Sequence, residues 1–353
     1  MYRIIQVVDT LNPGGSERVA VDLANGLKLA GHSVFFCVTR HDGTLRSELD
    51  SEIIFLNLLR KKSYQGLRRF RKFVDENQVS IVHAHGNSTA LFCVLSLWGM
   101  NSVRIIHHDH NPLLNLRNVW VQKMVLGRVH AWIAVSEEIL RWVIGKIRYS
   151  NAIMMVNPIQ VSRFFKTLTN NTDIKQFILL ANYREQKDYE NLIQAVKIMS
   201  GESLKFKINC FGSHSGSEYY LRMQALVNEL NVQDLISLNL SVMNIPEVLS
   251  LADVGVLTSE SEGLPISLLE YMASFLPVVV TDVGECKRIV SEADCGIVSP
   301  TKNPEALAEA LIKMMQSEEK WSEWGENGRR YIEQHHSLDA FVEKMIQEVY
   351  QKL

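Results

Sequence analysis

The sequence predicts an α/β protein built on two parallel sheets, and three observations carry that reading. Short apolar runs rich in β-branched residues alternate with helical patterns from one end of the chain to the other. The chain has 353 residues, 46% of them hydrophobic, which is more than one core absorbs, since single cores stop growing near roughly 250–300 residues. A polar, turn-prone stretch at 160–175, QVSRFFKTLTNNTDIK, interrupts the alternation near the middle. Strands that alternate with helices form parallel sheets covered on both faces.

In the first half the apolar runs predict strands near 3–8, 33–38, 53–56, 80–84, 103–108, 131–135 and 152–156. Helical spacing predicts helices near 16–30, 64–77, 88–98, 116–127 and 136–146. The second half repeats the scheme, with strands near 176–181, 205–211, 235–238, 253–257, 277–281 and 296–298. Its helices fall near 189–199, 217–230, 244–251, 265–275, 284–292 and 304–317. From Ser337 to Leu353, Phe341, Met345, Ile346, Val349 and Tyr350 recur at helical spacing and predict a final helix. The expected domains are 1–165 and 166–336, with 337–353 as a terminal helix.

Five scattered cysteines without C-x-x-C spacing argue against a disulfide framework or a zinc-thiolate site and for a reducing compartment. No apolar run reaches the roughly 18 residues of a membrane span, and MYRIIQVVDT runs straight into a strand, so no signal peptide is expected. Net charge is −2, yet residues 1–165 carry 20 Lys+Arg against 12 Asp+Glu, a net +8, and residues 166–353 carry the compensating −10. Arg60, Lys61, Lys62, Arg68, Arg69, Arg71 and Lys72, interleaved with Leu67, Phe70, Phe73 and Val74, concentrate the positive charge. That segment reads either as a solvated helix face or, together with Trp98, Trp120 and Trp142, as a patch that docks on an anionic membrane surface.

In open parallel sheets ligands sit at the carboxyl ends of strands, in loops that lead into helices. After the first strand comes NPGGSERVA, where Gly14 and Gly15 open a helix: a place for phosphate oxygens, or a plain turn. It is not G-x-G-x-x-G, and no acidic residue closes the second strand at Thr39-Arg40, which excludes an NAD dehydrogenase. After the strand at 176–181 comes NYREQKDYENLIQAV, whose Arg184 and Lys187 can neutralise a diphosphate together, or stand as surface cations. Asp253 follows a strand-leading helix in the same way, and Ser259 closes the strand at 253–257.

Residues 259–273, SESEGLPISLLEYMA, place Glu262 in a loop and Glu270 on a helix that Pro265 starts, with a Gly-Leu-Pro turn between them. The first half is rich in histidine after strands: His83 and His85 in VHAHG, then His107, His108 and His110 in RIIHHDHNP. Such residues orient hydroxyls, or are structural. Alternation along a strand points His83 and His85 to one side, but no third ligand accompanies them in the sequence, so no metal site is expected.

The stretch SESEGLPISLLEYMASFLPVVVTDVG resembles the E-x7-E region of the family 4 retaining glycosyltransferases, usually written EGxPxxxLEAMAxGxPVVxT. NPGGSER, IVHAH, Ser136 in WIAVSEE, VNPI at Asn157 and ANYREQKDYENLI resemble that family's other landmarks, in order. The resemblance implies the GT-B fold: two Rossmann-like, doubly wound parallel-sheet domains facing a deep cleft, an acceptor-binding first domain, a nucleotide-sugar-binding second one, and a C-terminal helix that packs back on the first. It implies that Glu270 contacts the ribose hydroxyls and that Glu262, Gly263, Leu264 and Pro265 lie at the donor sugar and its phosphates. Arg184 and Lys187 match the diphosphate-binding pair, and the catalytic-cleft histidine aligns with His108 or His110. Departures are Gly284-Glu285-Cys286-Lys287-Arg288 where Gly-Gly-Glu is common, and Phe275 where a small residue is usual.

The implied reaction is transfer of a sugar, with retention, from a UDP- or GDP-sugar to a lipid-linked or other glycan acceptor in surface polysaccharide synthesis. With no D-x-D pair, no metal or other cofactor is expected. Catalysis then rests on positioning and on stabilisation of the departing diphosphate by Arg184, Lys187, the Gly14 and Gly15 amides and the helix start at Pro265. A nucleotide-sugar 2-epimerase on the same fold and a non-catalytic sugar-nucleotide-binding subunit are the alternatives. Nucleic acid is not an expected partner, and the expected location is cytoplasmic, peripheral on the inner face of the cell membrane.

Overall fold

The computed structural model describes residues 1–50, 52–58, 64–110, 118–165, 173–213, 217–240 and 244–353. Arg60, Lys61 and Lys62 of the basic segment, the start of the helix expected at 116–127 and most of the polar break after 165 lie outside the described residues. Two compact units form: residues 1–159 with 337–353, and residues 160–336. The division falls between Ile159 and Gln160, ahead of the expected boundary at 165. Its physical basis is a bridge between Ile159 and Ser337, where the chain leaves the first unit and where it returns.

The first unit holds β1 (Arg3–Thr10), α1 (Gly15–Leu29), β2 (Ser33–His41), β3 (Ile54–Asn57), α2 (Tyr64–Glu76), β4 (Ile81–His85) and α3 (Asn87–Ser96). It continues through β5 (Arg104–Asp109), α4 (Val119–Val125), β6 (Ala131–Ala134), α5 (Glu137–Trp142) and β7 (Ala152–Met154). The seven strands are parallel, in the order β3-β2-β1-β4-β5-β6-β7. Strand side chains alternate between faces, so Ile5, Val7, Val82 and Ala84 join a core with α2 and α3, while Ile4, Val8, Ile81 and Ile106 join another. That second core is completed by α1 and by Leu338, Phe341, Val342, Met345, Val349 and Tyr350 of the C-terminal segment.

The second unit holds β8 (Lys175–Leu180), α6 (Tyr189–Met199), β9 (Phe206–Gly212), α7 (Glu218–Glu229), β10 (Ile236–Leu240), α8 (Ile245–Leu249) and β11 (Val254–Leu257). Next come α9 (Ile266–Ala273), β12 (Val278–Thr281), α10 (Cys286–Ala293), β13 (Gly296–Ser299), α11 (Pro304–Gln316) and α12 (Trp321–His335). The six strands are parallel, in the order β10-β9-β8-β11-β12-β13. The returning segment in the first unit begins with α13 (Leu338–Lys344), capped by Ser337 on the Ala340 N–H. Both sheets are doubly wound, and the winding reverses between β1 and β4 and between β8 and β11, where such sheets bind ligands.

α12 was not expected from the sequence. It carries Gly325 and Gly328, each of which lowers helix propensity by about 1 kcal/mol relative to alanine. Tertiary packing overrides this: a Cβ on Gly325 would come 2.2 Å from the Phe275 carbonyl oxygen, so only glycine lets α12 approach the end of α9 so closely. Pro265 also differs from expectation, standing in extended backbone as the N-cap of α9 rather than in its first turn.

Candidate functional site

The site of the second unit grows from the carboxyl ends of β8 and β11. After β8 the chain runs through Tyr183, anchored by its hydroxyl on the Asn239 carbonyl at 2.5 Å, into a short turn, Glu185–Lys187, that precedes α6. Asp188, in the left-handed region, caps α6 by accepting from the Asn191 N–H. After β11, the Thr258 hydroxyl donates to the Lys187 carbonyl at 2.9 Å and the Glu260 N–H to the Gln186 carbonyl at 2.9 Å. Two loops far apart in sequence are thereby tied together.

The side chains follow from that tie. The Lys187 ammonium forms an ion pair with the Glu262 carboxylate, which also accepts from the Ser259 hydroxyl at 2.7 Å. Thr281 at the end of β12 donates to the Ser259 carbonyl at 2.7 Å. Beneath Glu262 and Gly263 lies Gly284, at φ +49°, where a Cβ would stand 2.3 Å from the Glu262 carbonyl oxygen. Glu285 N–H donates to the Gly263 carbonyl at 3.0 Å. Glu262 and Glu270 are both buried, as are Gly263, Leu264 and Pro265. α9 is pinned through the residue after Glu270: the Tyr271 hydroxyl accepts from the Leu180 N–H at 2.6 Å and donates to the Val256 carbonyl at 3.2 Å. Its ring lies over Gly255, where any side chain would collide with it. Arg184 is exposed, at the head of the Glu185–Lys187 turn.

In the first unit, Gly14 is extended at φ −161° and Gly15 begins α1. Neither residue adopts a positive φ; Gly86 after β4 does, at φ +89°. The Glu17 carboxylate folds back over Gly14 and accepts from the Ser16 hydroxyl at 2.7 Å, so the start of α1 carries an anion of its own. Burial raises the pKa of Glu17, against the hydrogen bonds from its neighbours. Asp9, at the end of β1, accepts from Thr39 at 2.6 Å and from Ser88.

Strand alternation puts His83, His85 and His108 on the face that the C-terminal segment covers, and His107 on the other face against Trp132. His83 Nδ1 lies 2.9 Å from the Tyr350 hydroxyl and its Nε2 lies 3.2 Å from His108 Nδ1. His85 Nε2 lies 2.8 Å from Gln6 Oε1, and its Nδ1 lies 3.2 Å from His110 Nε2. The expectation of no third ligand is corrected here: one ring nitrogen each from His83, His85 and His108 lie within 4.8 Å of one another. Burial disfavours imidazolium throughout, lowering His83 to about 3 and His110 to about 4 and holding His85 and His108 well below the usual range. His108 is fully buried, whereas His110 is half-buried at the end of the cluster.

The model for "Glycosyltransferase Family 4" matches residues 13–160, and that for "Glycosyl transferases group 1" matches residues 161–331. The chain belongs to the family 4 glycosyltransferases. An uncharacterized glycosyltransferase of Haemophilus influenzae is 22% identical over 345 residues, 95% of each chain. The N-acetyl-alpha-D-glucosaminyl L-malate synthase of Bacillus anthracis is 27% identical over 159 residues, 45% of this chain and 40% of the relative. Among solved structures, Anabaena HepE in complex with UDP and glucose covers both chains in full, with a TM-score of 0.85 at 14% identity. A glycosyltransferase from Rickettsia africae covers 99% of this chain and 98% of its own, with a TM-score of 0.81 at 18% identity. The fold of this glycosyltransferase is therefore GT-B, two Rossmann-like parallel-sheet domains.

Of the residues that the sequence singled out in the second half of the glycosyltransferase, Lys187, Ser259 and Glu262 come into direct contact, and Glu270 lies one position from the tyrosine that pins α9. Gly14, Gly15, His108 and His110 belong to the other unit. Sequence reasoning missed Thr258, Tyr271 and Thr281, which hold the charged group in place, and Gln6 and Tyr350, which flank the histidines. Gln6 has a visible signal, as an amide in the otherwise apolar core of RIIQVV.

Proposed function

We propose that this glycosyltransferase moves a sugar, with retention, from a nucleotide-diphosphate sugar of the UDP class to a hydroxyl of a lipid-linked glycan in surface polysaccharide synthesis. The observation that carries the reading is the group in which half-buried Lys187 meets buried Glu262 and Ser259 at the carboxyl ends of β8 and β11, where doubly wound sheets bind nucleotides. Glu270 takes the ribose hydroxyls, and Glu262 with Gly263, Leu264 and Pro265 takes the sugar. Arg184 and Lys187 neutralise the diphosphate as the bond from the anomeric carbon to its oxygen breaks. The acceptor oxygen bonds to the same face of that carbon, and its proton passes to the departing diphosphate. His110, the half-buried histidine, is favoured over His108 as the one that meets substrate. Two relatives support the substrate classes: HepE is crystallised with UDP-glucose, and a Campylobacter jejuni enzyme, 36% identical over 75 residues, is named as acting on a diphospho-undecaprenol acceptor.

In this reading Arg184 and Lys187 neutralise the diphosphate, so the transfer needs no bridging metal. Thermal shifts against UDP, GDP and ADP sugars identify the donor, because a ligand that binds only the native state raises its stability. Product analysis in EDTA then tests the rest. No stabilisation by any nucleotide sugar would remove the donor site. A 2-epimerised free sugar would identify an epimerase, and activity restored only by Mg²⁺ or Mn²⁺ would overturn metal independence.

No helix among the described residues is long and apolar enough to cross a membrane. Contact with an anionic membrane surface is supported by exposed Trp98, Trp120, Met124 and Leu95 on and beside α3 and α4, with the Arg128 guanidinium 3.5 Å over the Trp98 ring. Arg71 on α2 donates to the Trp98 carbonyl at 2.8 Å. Trp142 is not part of this patch, because it packs against the core. Co-sedimentation with anionic liposomes that is absent at low salt, or unchanged in Arg68→Gln/Arg69→Gln, would remove the surface from the reading.

A further inference from the structure

Four imidazoles at the ends of β4 and β5 are more than an orienting role requires, and their mutual geometry is specific. His83 and His108 face each other through ring nitrogens 3.2 Å apart, and so do His85 and His110. Two imidazole nitrogens on one tetrahedral Zn²⁺, at Zn–N distances of about 2.0–2.1 Å, stand about 3.4 Å apart. One nitrogen each from His83, His85 and His108 already lie within 4.8 Å of one another, so closing on one ion takes only small ring shifts.

The outer partners have the form that metal-bound histidines need. His85 Nε2 lies 2.8 Å from Gln6 Oε1, on the side of the ring away from His110. Tyr350 meets His83 at Nδ1, on the side away from His108. A ligating histidine that gives its second N–H to a neighbouring oxygen is the usual arrangement around bound zinc. His108 Nε2, buried, has no hydrogen-bond partner among the described residues.

We propose that His83, His85 and His108 form a site for an imidazole-preferring divalent transition ion of the Zn²⁺ class, with its fourth position on the side of the half-buried His110. Such a site is separate from the diphosphate chemistry. It lies wholly in the first unit, and a set of nitrogens selects Zn²⁺, Co²⁺ or Ni²⁺ over the oxygen-seeking Mg²⁺ and Mn²⁺. The bound ion takes the place of the hydrogen bond between His83 and His108, the proton moving to the outer nitrogen of the ring that carried it, and links β4 and β5 beneath the C-terminal segment.

Untagged full-length protein, stripped with chelator, is titrated with Co²⁺ and separately with Zn²⁺. The expected result is uptake of a single ion per chain, with the visible bands of tetrahedral cobalt and a rise in melting temperature that Mg²⁺ does not give. His83→Gln/His108→Gln should abolish the bands. X-ray absorption on the zinc-loaded unmodified protein reads the ligands without any variant, and a shell of three or four imidazoles is expected. Failure to take up either ion stoichiometrically, sulfur or water-only ligation, or unchanged uptake in a folded double variant would overturn the site. None of these readouts depends on the donor or acceptor.

Discussion

At the carboxyl ends of β8 and β11 an ammonium, a carboxylate and a hydroxyl are held in contact, whereas at those of β4 and β5 the polar groups are imidazoles, flanked by an amide and a phenol. The two sheets share one winding order, and both groups stand where that order brings strand ends together. Topology therefore supplies the place, and the residues decide the chemistry. A charged group survives partial burial best when paired, so the second unit holds Lys187 against Glu262. Histidine escapes the same penalty by staying neutral, which lets the first unit bury His83, His85 and His108 under its C-terminal segment.

The comparison is sharpest where one charge is removed. Lys187→Met leaves Glu262 buried with only Ser259 as donor, and should cost about 3 kcal/mol in urea unfolding, the low end for such pairs because 18% of the lysine side chain is exposed. Turnover should fall on the order of 100-fold or more, from lost stabilisation of the departing charge. A loss below about 1 kcal/mol would mean that water already screens the pair.

The glycines of the two sites should respond differently. Gly284→Ala puts a side chain at φ +49° and 2.3 Å from the Glu262 carbonyl oxygen, so more than about 2 kcal/mol should be lost. Gly14→Ala keeps an extended backbone and meets only the flexible tip of Glu17, at 2.5 Å, so less than about 1 kcal/mol is expected. Equal melting temperatures for the two variants would show that the second site's loop relaxes as easily as the first's.

Glu270→Ala should weaken nucleotide-sugar binding by about 1.5–3 kcal/mol in calorimetry, from lost charge-assisted hydrogen bonds. Unaltered affinity would remove the ribose role. The smallest effect belongs to the neutral side. Tyr350→Phe withdraws the hydroxyl from His83 and should cost about 1 kcal/mol, read as faster amide exchange in β4 and α13 with β8 and β11 unaffected. Exchange that rises equally in both units would show that Tyr350 does more than tie its own unit together.

Much of this was legible in the amino-acid order, because the signals are local. Short apolar runs rich in β-branched residues marked the strands, and the Gly-Leu-Pro turn separated a loop carboxylate from a helix carboxylate, as Glu262 and Glu270 are found. Local signals failed where packing reverses them. The glycines that weaken α12 as an isolated helix are what let it close on Phe275, itself held at φ +61° in a position where the family usually has a small residue. They failed again at the histidines: the H-x-H spacing put His83 and His85 on one face, but only the register of β4 with β5 brings His108 to them. Tyr350 reaches the same cluster from a stretch 267 residues away. The sequence by itself determined which chemical groups each unit carries and which strand ends bear them, since both follow from neighbours along the chain. The tertiary structure decided which groups touch, because contacts between distant loops depend on register and on the close approach that only the packed chain defines.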